Sequence, residues 1–244
     1  MKKILIMRQR HIALALSSYL EQNNCQVFVE SLFQVKKNLL SENHWHFYQK
    51  NLFGIVITSQ NAVASLEKFK VNKNLKIFTV GKKTAQKIQD LGFSNIEIAT
   101  ENSAENLAKI IANHPNIKGF NERKIVYLRG QKINFDLKDY LQKKSINCQE
   151  IIVYKTVKKN ILSEKLITNV KKNNYDSVLI FSKNSLEIFF YLSTKHNLLE
   201  YFTNSSLIVF SKKIADYAQE LGIDSFFKKV MLFSDNEKLK KFYE

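Results

Sequence analysis

The segment Phe53-Gly54-Ile55-Val56-Ile57-Thr58-Ser59-Gln60-Asn61-Ala62-Val63 has a second copy at Asp176-Ser177-Val178-Leu179-Ile180-Phe181-Ser182-Lys183-Asn184-Ser185-Leu186. Each copy is an apolar run, then Ser-x-Asn, then a helical pattern. A continuous apolar run is typical of a strand that is buried on both faces of a parallel sheet. The chain is therefore predicted to contain, twice, a buried strand that passes directly into a helix.

A second pair of matching turns follows in the same order. Val80-Gly81-Lys82-Lys83-Thr84-Ala85 resembles Phe210-Ser211-Lys212-Lys213-Ile214-Ala215, and Leu-Gly follows each at the same distance, at Leu91-Gly92 and Leu221-Gly222. Two matches in one order indicate an internal repeat of a strand–helix–strand–helix unit. The predicted fold class is α/β, with two similar domains and a ligand site in the cleft between them.

The rest of the chain alternates strands and helices in the same way. The repeated runs are predicted strands at 54–58 and 177–181. Further strands are predicted at 4–7, 26–29, 76–80, 96–99, 124–128, 150–154 and 207–210, and helices at 12–21, 82–91 and 104–113. Gly92 and Gly222 are predicted left-handed helix caps, and Ser103 a predicted N-cap. A capping box at Ser234–Glu237 predicts a short helix near the end of the chain.

The composition is basic, and its charge admits three interpretations. The chain has 244 residues, with 38 Lys and Arg against 22 Asp and Glu, a net charge of +16. This charge would suit a nucleic acid, a small polyanion, or a lysine-rich composition without functional meaning. Lysine pairs are spread from end to end rather than clustered, which disfavours nucleic acid. No apolar run approaches the length of a membrane-spanning helix.

The motifs of common cofactor and metal sites are missing from the sequence. It has no G-x-G-x-x-G and no Walker A loop. His44 and His46 lack a third ligand nearby, so they are expected to be surface or loop residues. Cys25 and Cys148 are far apart, which favours a reduced, cytoplasmic setting. Arg8 interrupts the first apolar run too early for a signal peptide, so that run is predicted to be a buried strand.

The repeated turns offer groups that bind anions. In an open parallel sheet, ligands bind beyond the carboxyl ends of the strands, where helix N-termini present N–H donors. The turns at Gly81 and Ser211 lie there, and hydroxyls add donors at Ser59, Thr84, Ser103 and Ser182. The alternative is that each hydroxyl merely caps its own helix.

Together these motifs resemble the uroporphyrinogen-III synthase family over nearly the whole chain. The matching residues are the strand ending in Arg8, Thr58–Val63, Val80–Ala85, Gly92-Phe93, Leu128-Arg129-Gly130, Val153-Tyr154 and Ser182–Asn184. The chain departs from the family pattern at Gln9, where the family has proline. Ser211 and Ile214 stand where the family repeats Gly and Thr, so the binding role of that second turn is left open.

The resemblance implies a fold and a reaction. The fold would be two Rossmann- or flavodoxin-like domains, 1–34 plus 156–244 and an inserted 37–152, joined by linker strands at about 28–36 and 149–157. The active site would lie in the interdomain cleft. The reaction would cyclise linear hydroxymethylbilane with loss of water and inversion of the terminal pyrrole ring, without a metal or organic cofactor.

The resemblance also suggests roles for particular residues. Tyr154 is the candidate catalytic acid, since tyrosine keeps its proton at neutral pH. The candidate substrate-binding residues are Arg8, Ser59, Gly81, Thr84, Ser103, Arg129, Gly130, Ser182, Asn184 and Ser211. Alternatively, Tyr154 packs as a strand residue at the hinge, and Arg8 and Arg129 form local salt bridges.

The implied partner is the small-molecule tetrapyrrole substrate. We expect a cytoplasmic monomer that receives hydroxymethylbilane in a transient handover from hydroxymethylbilane synthase, and that binds neither nucleic acid nor a membrane. Two other functions stay open. A non-catalytic two-domain protein that binds small anions would share the cleft but lack turnover. A basic nucleic-acid-binding protein would show steep salt dependence instead.

Overall fold

A computed structural model describes residues 1–37, 42–117 and 123–244. Its strands are β1 (Lys2–Met7), β2 (Cys25–Glu30), β3 (Phe33–Lys37), β4 (Leu52–Ile57), β5 (Lys76–Thr79), β6 (Ile96–Ile98), β7 (Lys124–Gly130), β8 (Asn147–Lys158), β9 (Ser177–Ile180), β10 (Ser206–Val209) and β11 (Lys229–Leu232). Its helices are α1 (Arg10–Gln22), α2 (Glu42–Gln49), α3 (Ala64–Lys68), α4 (Lys82–Asp90), α5 (Ala104–Asn113), α6 (Leu137–Gln142), α7 (Glu164–Lys172), α8 (Lys183–Lys195), α9 (Lys212–Glu220) and α10 (Asn236–Tyr243). Short 3-10 turns follow β4, α8 and α9.

The chain divides into two compact units. Unit 1 comprises 1–34 with 158–244, and unit 2 comprises 35–157. The predicted first range, 1–34, ends at the same residue as the first segment of unit 1, and the other predicted ends, 37, 152 and 156, lie two to five residues from 35, 157 and 158. Strands β3 and β8, which carry the chain across the two boundaries, are neighbours in the sheet of unit 2.

Each unit is built on a largely parallel sheet, which confirms the predicted fold class. The strand order is β11-β10-β9-β1-β2 in unit 1 and β3-β8-β7-β4-β5-β6 in unit 2. The pairs within β2-β1-β9-β10-β11 and within β7-β4-β5-β6, and the pair β7–β8, are all parallel. Strand β9 is buried along its whole length because helices cover both faces of the sheet.

The two sheets share one connectivity, as the internal repeat predicts. Read from the ends at which β2 and β3 lie, unit 1 runs β2-β1-β9-β10-β11 and unit 2 runs β3-β8-β7-β4-β5-β6, so the two orders match once the edge strand β3 is set aside. Strand β1 therefore corresponds to β7, β9 to β4, and β10 to β5. The helices that follow these strands correspond too: α1 to α6, α8 to the turn and helix after β4, and α9 to α4.

The predicted elements are present, with small errors at their ends. Gly92 and Gly222 have positive φ angles of 85° and 66°, as predicted for left-handed caps. Strands β4, β5, β9 and β10 each end one residue earlier than predicted, because Ser-x-Asn and the matching turns begin there. Strand β11, which begins with Lys229 and has exposed ends, was not predicted.

The cap of α10 differs from the predicted capping box. Asp235, rather than Ser234, is the N-cap, since its Oδ1 accepts a hydrogen bond from the Lys238 N–H at 2.9 Å. The Ser234 hydroxyl donates to Asp235 Oδ2 at 2.8 Å. His46 is a surface residue, as predicted, and lies on helix α2. The side chain of His44 lies outside the described residues.

The first strand is buried, as predicted. Strand β1 is a central strand whose Ile4–Met7 segment is fully buried. Cys25 and Cys148 are both buried and unpaired with each other. No helix within the described residues is long and apolar enough to cross a membrane.

Candidate active site

Unit 2 holds a cavity at the carboxyl edge of its sheet, where ligands bind in open parallel sheets. Its volume is about 500 Å³. Strands β4, β5 and β7 bring Thr58, Val80 and Gly130 to it as each strand ends. The other lining residues are Asn102, Ser103, Ala104, Glu105, Tyr127, Lys132, Ile133, Asn134, Phe135 and Tyr154. Three predicted site residues, Tyr154, Ser103 and Gly130, therefore meet in one cavity.

Tyr154 lies directly against Gly130. A Cβ on Gly130 would fall 2.6 Å from Cζ of Tyr154 and 2.8 Å from its hydroxyl oxygen. Those separations are shorter than any van der Waals contact between heavy atoms, so only glycine fits below this ring. A register shift between Arg129 and Gly130 sets Tyr154 opposite Gly130. The Gln131 N–H donates to the Tyr154 carbonyl at 3.0 Å and fixes the backbone there.

A second tyrosine, Tyr127, lines the cavity, and the sequence motifs did not predict it. The Tyr127 hydroxyl lies 2.8 Å from Thr58 Oγ1, a hydrogen bond between neighbouring strands. Burial raises the pKa of Tyr127, and the Thr58 hydrogen bond and the charge of Arg129 oppose that rise in part. Tyr127 precedes the Leu128-Arg129-Gly130 motif by one residue, so the motif pointed to the correct strand end without revealing this pair.

The serines after the strands act as helix caps in this structure. Ser103 Oγ accepts the Asn106 N–H at 3.0 Å at the start of α5. Ser59 Oγ accepts the Asn61 N–H at 3.3 Å, and Ser182 Oγ accepts the Ser185 N–H at 3.1 Å. A hydroxyl that accepts from the backbone still has its own hydrogen to donate. Capping and ligand binding by these serines are therefore compatible.

The remaining turn residues take different positions. Gly81 is the N-cap of α4, and a Cβ there would lie 3.1 Å from Asn102 Oδ1. Thr84 is buried in the first turn of α4 and does not line the cavity. In unit 1, Asn184 is exposed, and Ser211 stands at the N-cap of α9 without a side-chain capping bond.

Arg129 is held by a local ion pair. Its Nε lies 2.9 Å from Glu150 Oε1, and its Nη2 donates to Glu150 Oε2 at 3.0 Å. Nη1 donates to the carbonyls of Gly130 and Gln131 at 2.9 and 3.2 Å. Arg129 therefore forms the local salt bridge that the sequence left open as an alternative to substrate binding. The same contacts hold in place the strand end that carries Gly130.

Arg8 has a different environment in unit 1. Its guanidinium carbon lies 4.4 Å from the centre of the Phe181 ring, a cation–π contact. The side chain is half-buried, and burial lowers the pKa of Arg8 from its ordinary value. Ser182 follows β9, which is the neighbour of β1, and Ser211 follows β10, the next strand along, at the same edge of this sheet.

The cavity of unit 2 offers phenol and alcohol hydroxyls, the amides of Asn102 and Asn134 and the ammonium of Lys132, with the Glu105 carboxylate also in its wall. The donors among these groups bind carboxylates and can protonate a leaving hydroxyl. Within residues 1–37, 42–117 and 123–244, no group of three or more His, Cys, Asp or Glu side chains is placed to hold a metal ion.

The chain is similar to known proteins in both sequence and fold. The family model for uroporphyrinogen-III synthase HemD matches residues 14–227. A solved structure of uroporphyrinogen-III synthetase from Helicobacter pylori is 19% identical, with 100% of each chain covered and a TM-score of 0.54. A mutant uroporphyrinogen III synthase from Thermus thermophilus is 13% identical, with 99% of this chain and 97% of that chain covered and a TM-score of 0.47. A search of curated proteins gave no match.

Parallel sheets and a duplicated strand order define the class, an α/β protein of two related units. Likeness to the Helicobacter pylori structure extends that fold over the full chain. The chain belongs to the uroporphyrinogen-III synthase family, whose model spans most of it. It is accordingly a cyclising lyase of porphyrin and haem biosynthesis, which converts hydroxymethylbilane to uroporphyrinogen III.

Proposed function

We propose that the cavity of unit 2 holds the reacting end of hydroxymethylbilane and that Tyr154 is the proton donor. One observation carries this assignment: the Tyr154 ring lies on the Cα of Gly130, beside a cavity of about 500 Å³. Packing against a buried glycine fixes the ring, and a fixed donor is what general acid catalysis requires.

The proposed first step removes the terminal hydroxyl. The Tyr154 phenol gives its proton to that oxygen, the carbon–oxygen bond breaks, and water leaves with the bonding electron pair. The pyrrole nitrogen supplies electrons to the carbon and keeps its own proton, so the product is an azafulvene protonated on nitrogen, whose positive charge balances the phenolate. The phenolate that remains is stabilised by nearby positive charge, which Lys132 supplies at the cavity wall.

Ring inversion follows in the same cavity. The substituted carbon of the last pyrrole ring attacks the azafulvene and forms a spiro intermediate, which fragments and recloses in the inverted orientation. A proton is lost when the final ring regains aromaticity, and Tyr154 recovers it, so the enzyme returns to its starting state. The Thr58–Tyr127 pair and the Ser103 hydroxyl supply fixed polar contacts that hold the substrate curled.

Net charge supports a polycarboxylate substrate. Hydroxymethylbilane carries an acetate and a propionate on each of its four rings, and the chain carries a net charge of +16. Candidate contacts are Arg8, Ser59, Gly81, Thr84, Ser103, Arg129, Gly130, Ser182, Asn184 and Ser211. Attraction of this kind raises the rate of encounter and falls with ionic strength.

The deciding assay generates hydroxymethylbilane in a coupled reaction and separates the type I and type III isomers after oxidation. The wild-type chain should give type III. Type I alone, at the spontaneous rate, would contradict the proposal and favour a protein that binds small anions without turnover.

A substitution isolates the proton donor. Tyr154→Phe keeps the ring and removes its hydroxyl, so kcat should fall at least about 100-fold, the usual contribution of a general acid. Tyr191→Phe is the matched control, since Tyr191 is 59% exposed on α8. Near-normal turnover by Tyr154→Phe would leave only the hinge-packing alternative for this residue.

The setting of the reaction is also part of the proposal. We propose a monomer in the cytoplasm that takes hydroxymethylbilane in a transient handover from hydroxymethylbilane synthase. Two buried cysteines that do not pair with each other support a reducing compartment. Gel filtration with light scattering tests the oligomeric state, and family membership disfavours nucleic acid as a partner.

A further inference from the structure

The two units carry an arginine at equivalent places in their sheets. Arg8 directly follows β1, and Arg129 lies at the same depth in β7, the corresponding strand. In register, Arg8 is opposite Phe181 because Met7 pairs with Ile180. Arg129 is likewise opposite Thr58 because Leu128 pairs with Ile57. The duplicated fold therefore allows a position-by-position comparison of the two arginines.

The counter-ion is present in one unit and absent from the same position in the other. Glu150 is opposite Tyr127 and neutralises Arg129 from the neighbouring strand. The corresponding residue of unit 1 is opposite Ile6, and it is Val29. Among the residues that the structure describes, no carboxylate lies within ion-pair distance of the Arg8 guanidinium.

Aromatic rings replace the polar neighbours of unit 2. Phe181 and Phe210 stack with their centres 4.3 Å apart and their planes at 11°, and Arg8 lies 4.4 Å from the Phe181 ring. Unit 2 has Thr58 and Val80 at those two places. A guanidinium that lies over a ring keeps its in-plane N–H groups available, since donors point outward from the edge of the fork.

We infer that Arg8, braced by the Phe181–Phe210 stack, is a carboxylate-binding site of unit 1, whereas Arg129 keeps Glu150 as its counter-ion. A half-buried guanidinium is costly without an anion, and a bound carboxylate supplies one through two parallel N–H···O bonds. Resting on the proposed function, the inference assigns this site to an acetate or propionate of the tetrapyrrole. Phe181 and Phe210 are positioning residues, because they act through Arg8.

Steady-state kinetics with hydroxymethylbilane test whether the charge of Arg8 contributes to substrate binding. Arg8→Gln should raise KM about tenfold or more, the size of one charge-assisted contact, while kcat changes less than about threefold. Arg8→Lys should recover little of this loss, because an ammonium cannot form the flat fork. The control Arg10→Gln removes the same charge from an exposed residue two positions away, and its KM should stay near the wild-type value.

A double-mutant cycle tests the aromatic brace. Phe181→Leu should raise KM about threefold in the wild-type background and have no effect in the Arg8→Gln background, since the ring acts through the guanidinium. Phe181→Tyr keeps the ring and should keep the wild-type KM. Phe233→Leu is the control, because its ring packs against Phe242. Multiplicative effects of Phe181→Leu and Arg8→Gln would overturn the positioning role.

A binding measurement separates this inference from the proposed function. The probe is uroporphyrin III, a stable tetrapyrrole with eight carboxylates, followed by its fluorescence anisotropy. If turnover is absent but Arg8→Gln weakens binding about tenfold and Arg10→Gln does not, the site stands and the proposed reaction fails. If turnover is normal and Arg8→Gln leaves both KM and binding unchanged, the reaction stands and the site is refuted.

Discussion

Replacement of Gly130 by alanine should displace the Tyr154 ring and leave its hydroxyl group unchanged. The new methyl carbon would fall 2.6 Å from Cζ of Tyr154 and 2.8 Å from its hydroxyl oxygen. Carbon atoms normally approach to about 3.5 Å, so the ring must move by roughly 1 Å. Gly130 is buried at the end of β7, where the backbone is braced by Arg129, so we expect the ring to move rather than the strand.

The expected magnitude follows from that displacement. A misplacement of about 1 Å in a catalytic group costs up to about 100-fold in rate, so kcat of Gly130→Ala should fall by that order. The extra methyl should lower the free energy of unfolding by about 1–3 kcal/mol, the usual cost of overpacking. If Tyr154 is the donor, Gly130→Ala should add little to the loss already caused by Tyr154→Phe.

The assay is the isomer-resolved synthase reaction at saturating substrate, with stability measured in parallel by urea unfolding. Gly222→Ala is the matched control. Gly222 has a φ of 66° with no atom within 4 Å of an added Cβ, so alanine there should destabilise by about 1–2 kcal/mol and leave kcat unchanged. A folded Gly130→Ala protein with kcat within threefold of wild type would refute the placement of Tyr154 as a fixed acid.

Two further predictions concern stability and reactivity. Glu150→Gln should lower the free energy of unfolding by about 2 kcal/mol in urea, because the partly buried Arg129 loses its counter-ion and the hydrogen bond from its Nη2 loses a charged acceptor. Glu187→Gln, whose bridge to Lys158 is about half exposed, should cost under about 1 kcal/mol. Equal losses in the two variants would contradict a larger contribution from the Arg129–Glu150 pair. Burial raises the pKa of Cys148 to about 12, so its thiolate forms first in the unfolded chain. The free energy of unfolding should therefore decline as the pH rises from about 9 towards 12. Rapid labelling of the Cys148 thiol by a disulfide reagent in the native protein at pH 8 would contradict its burial.

The repeated apolar runs predicted most of the fold, because period and order are local properties of the chain. Buried runs such as 54–57 and 177–180 need neighbouring strands as hydrogen-bond partners for their backbone N–H and C=O groups. They therefore predict buried parallel strands directly. Gly92 and Gly222 predicted helix ends for a similar reason. Strand β11 was missed because it is four residues long, begins with a lysine and lies at a sheet edge, where hydrophobic patterning is weak.

The sequence did not predict which side chains pair across neighbouring strands, because those pairs depend on the strand register. Thr58 and Tyr127 are 69 residues apart, and Arg129 and Glu150 are 21 apart. Both pairs depend on which residues of adjacent strands are level, and a shift of one residue would send each partner to the opposite face. The sequence placed Arg8 and Arg129 at strand ends but left open which of them forms an ion pair with a carboxylate of the protein itself.

The order of strands in unit 1 has a consequence for synthesis on the ribosome. Strand β1 lies between β2 and β9, yet it leaves the ribosome long before β9 has been synthesised, because all of unit 2 comes between them in the chain. Unit 2 is continuous in the chain and can fold as soon as its last strand is available. The nascent β1–α1–β2 segment must therefore wait with an open, apolar edge while unit 2 folds, and chaperone binding during translation should concentrate on that edge.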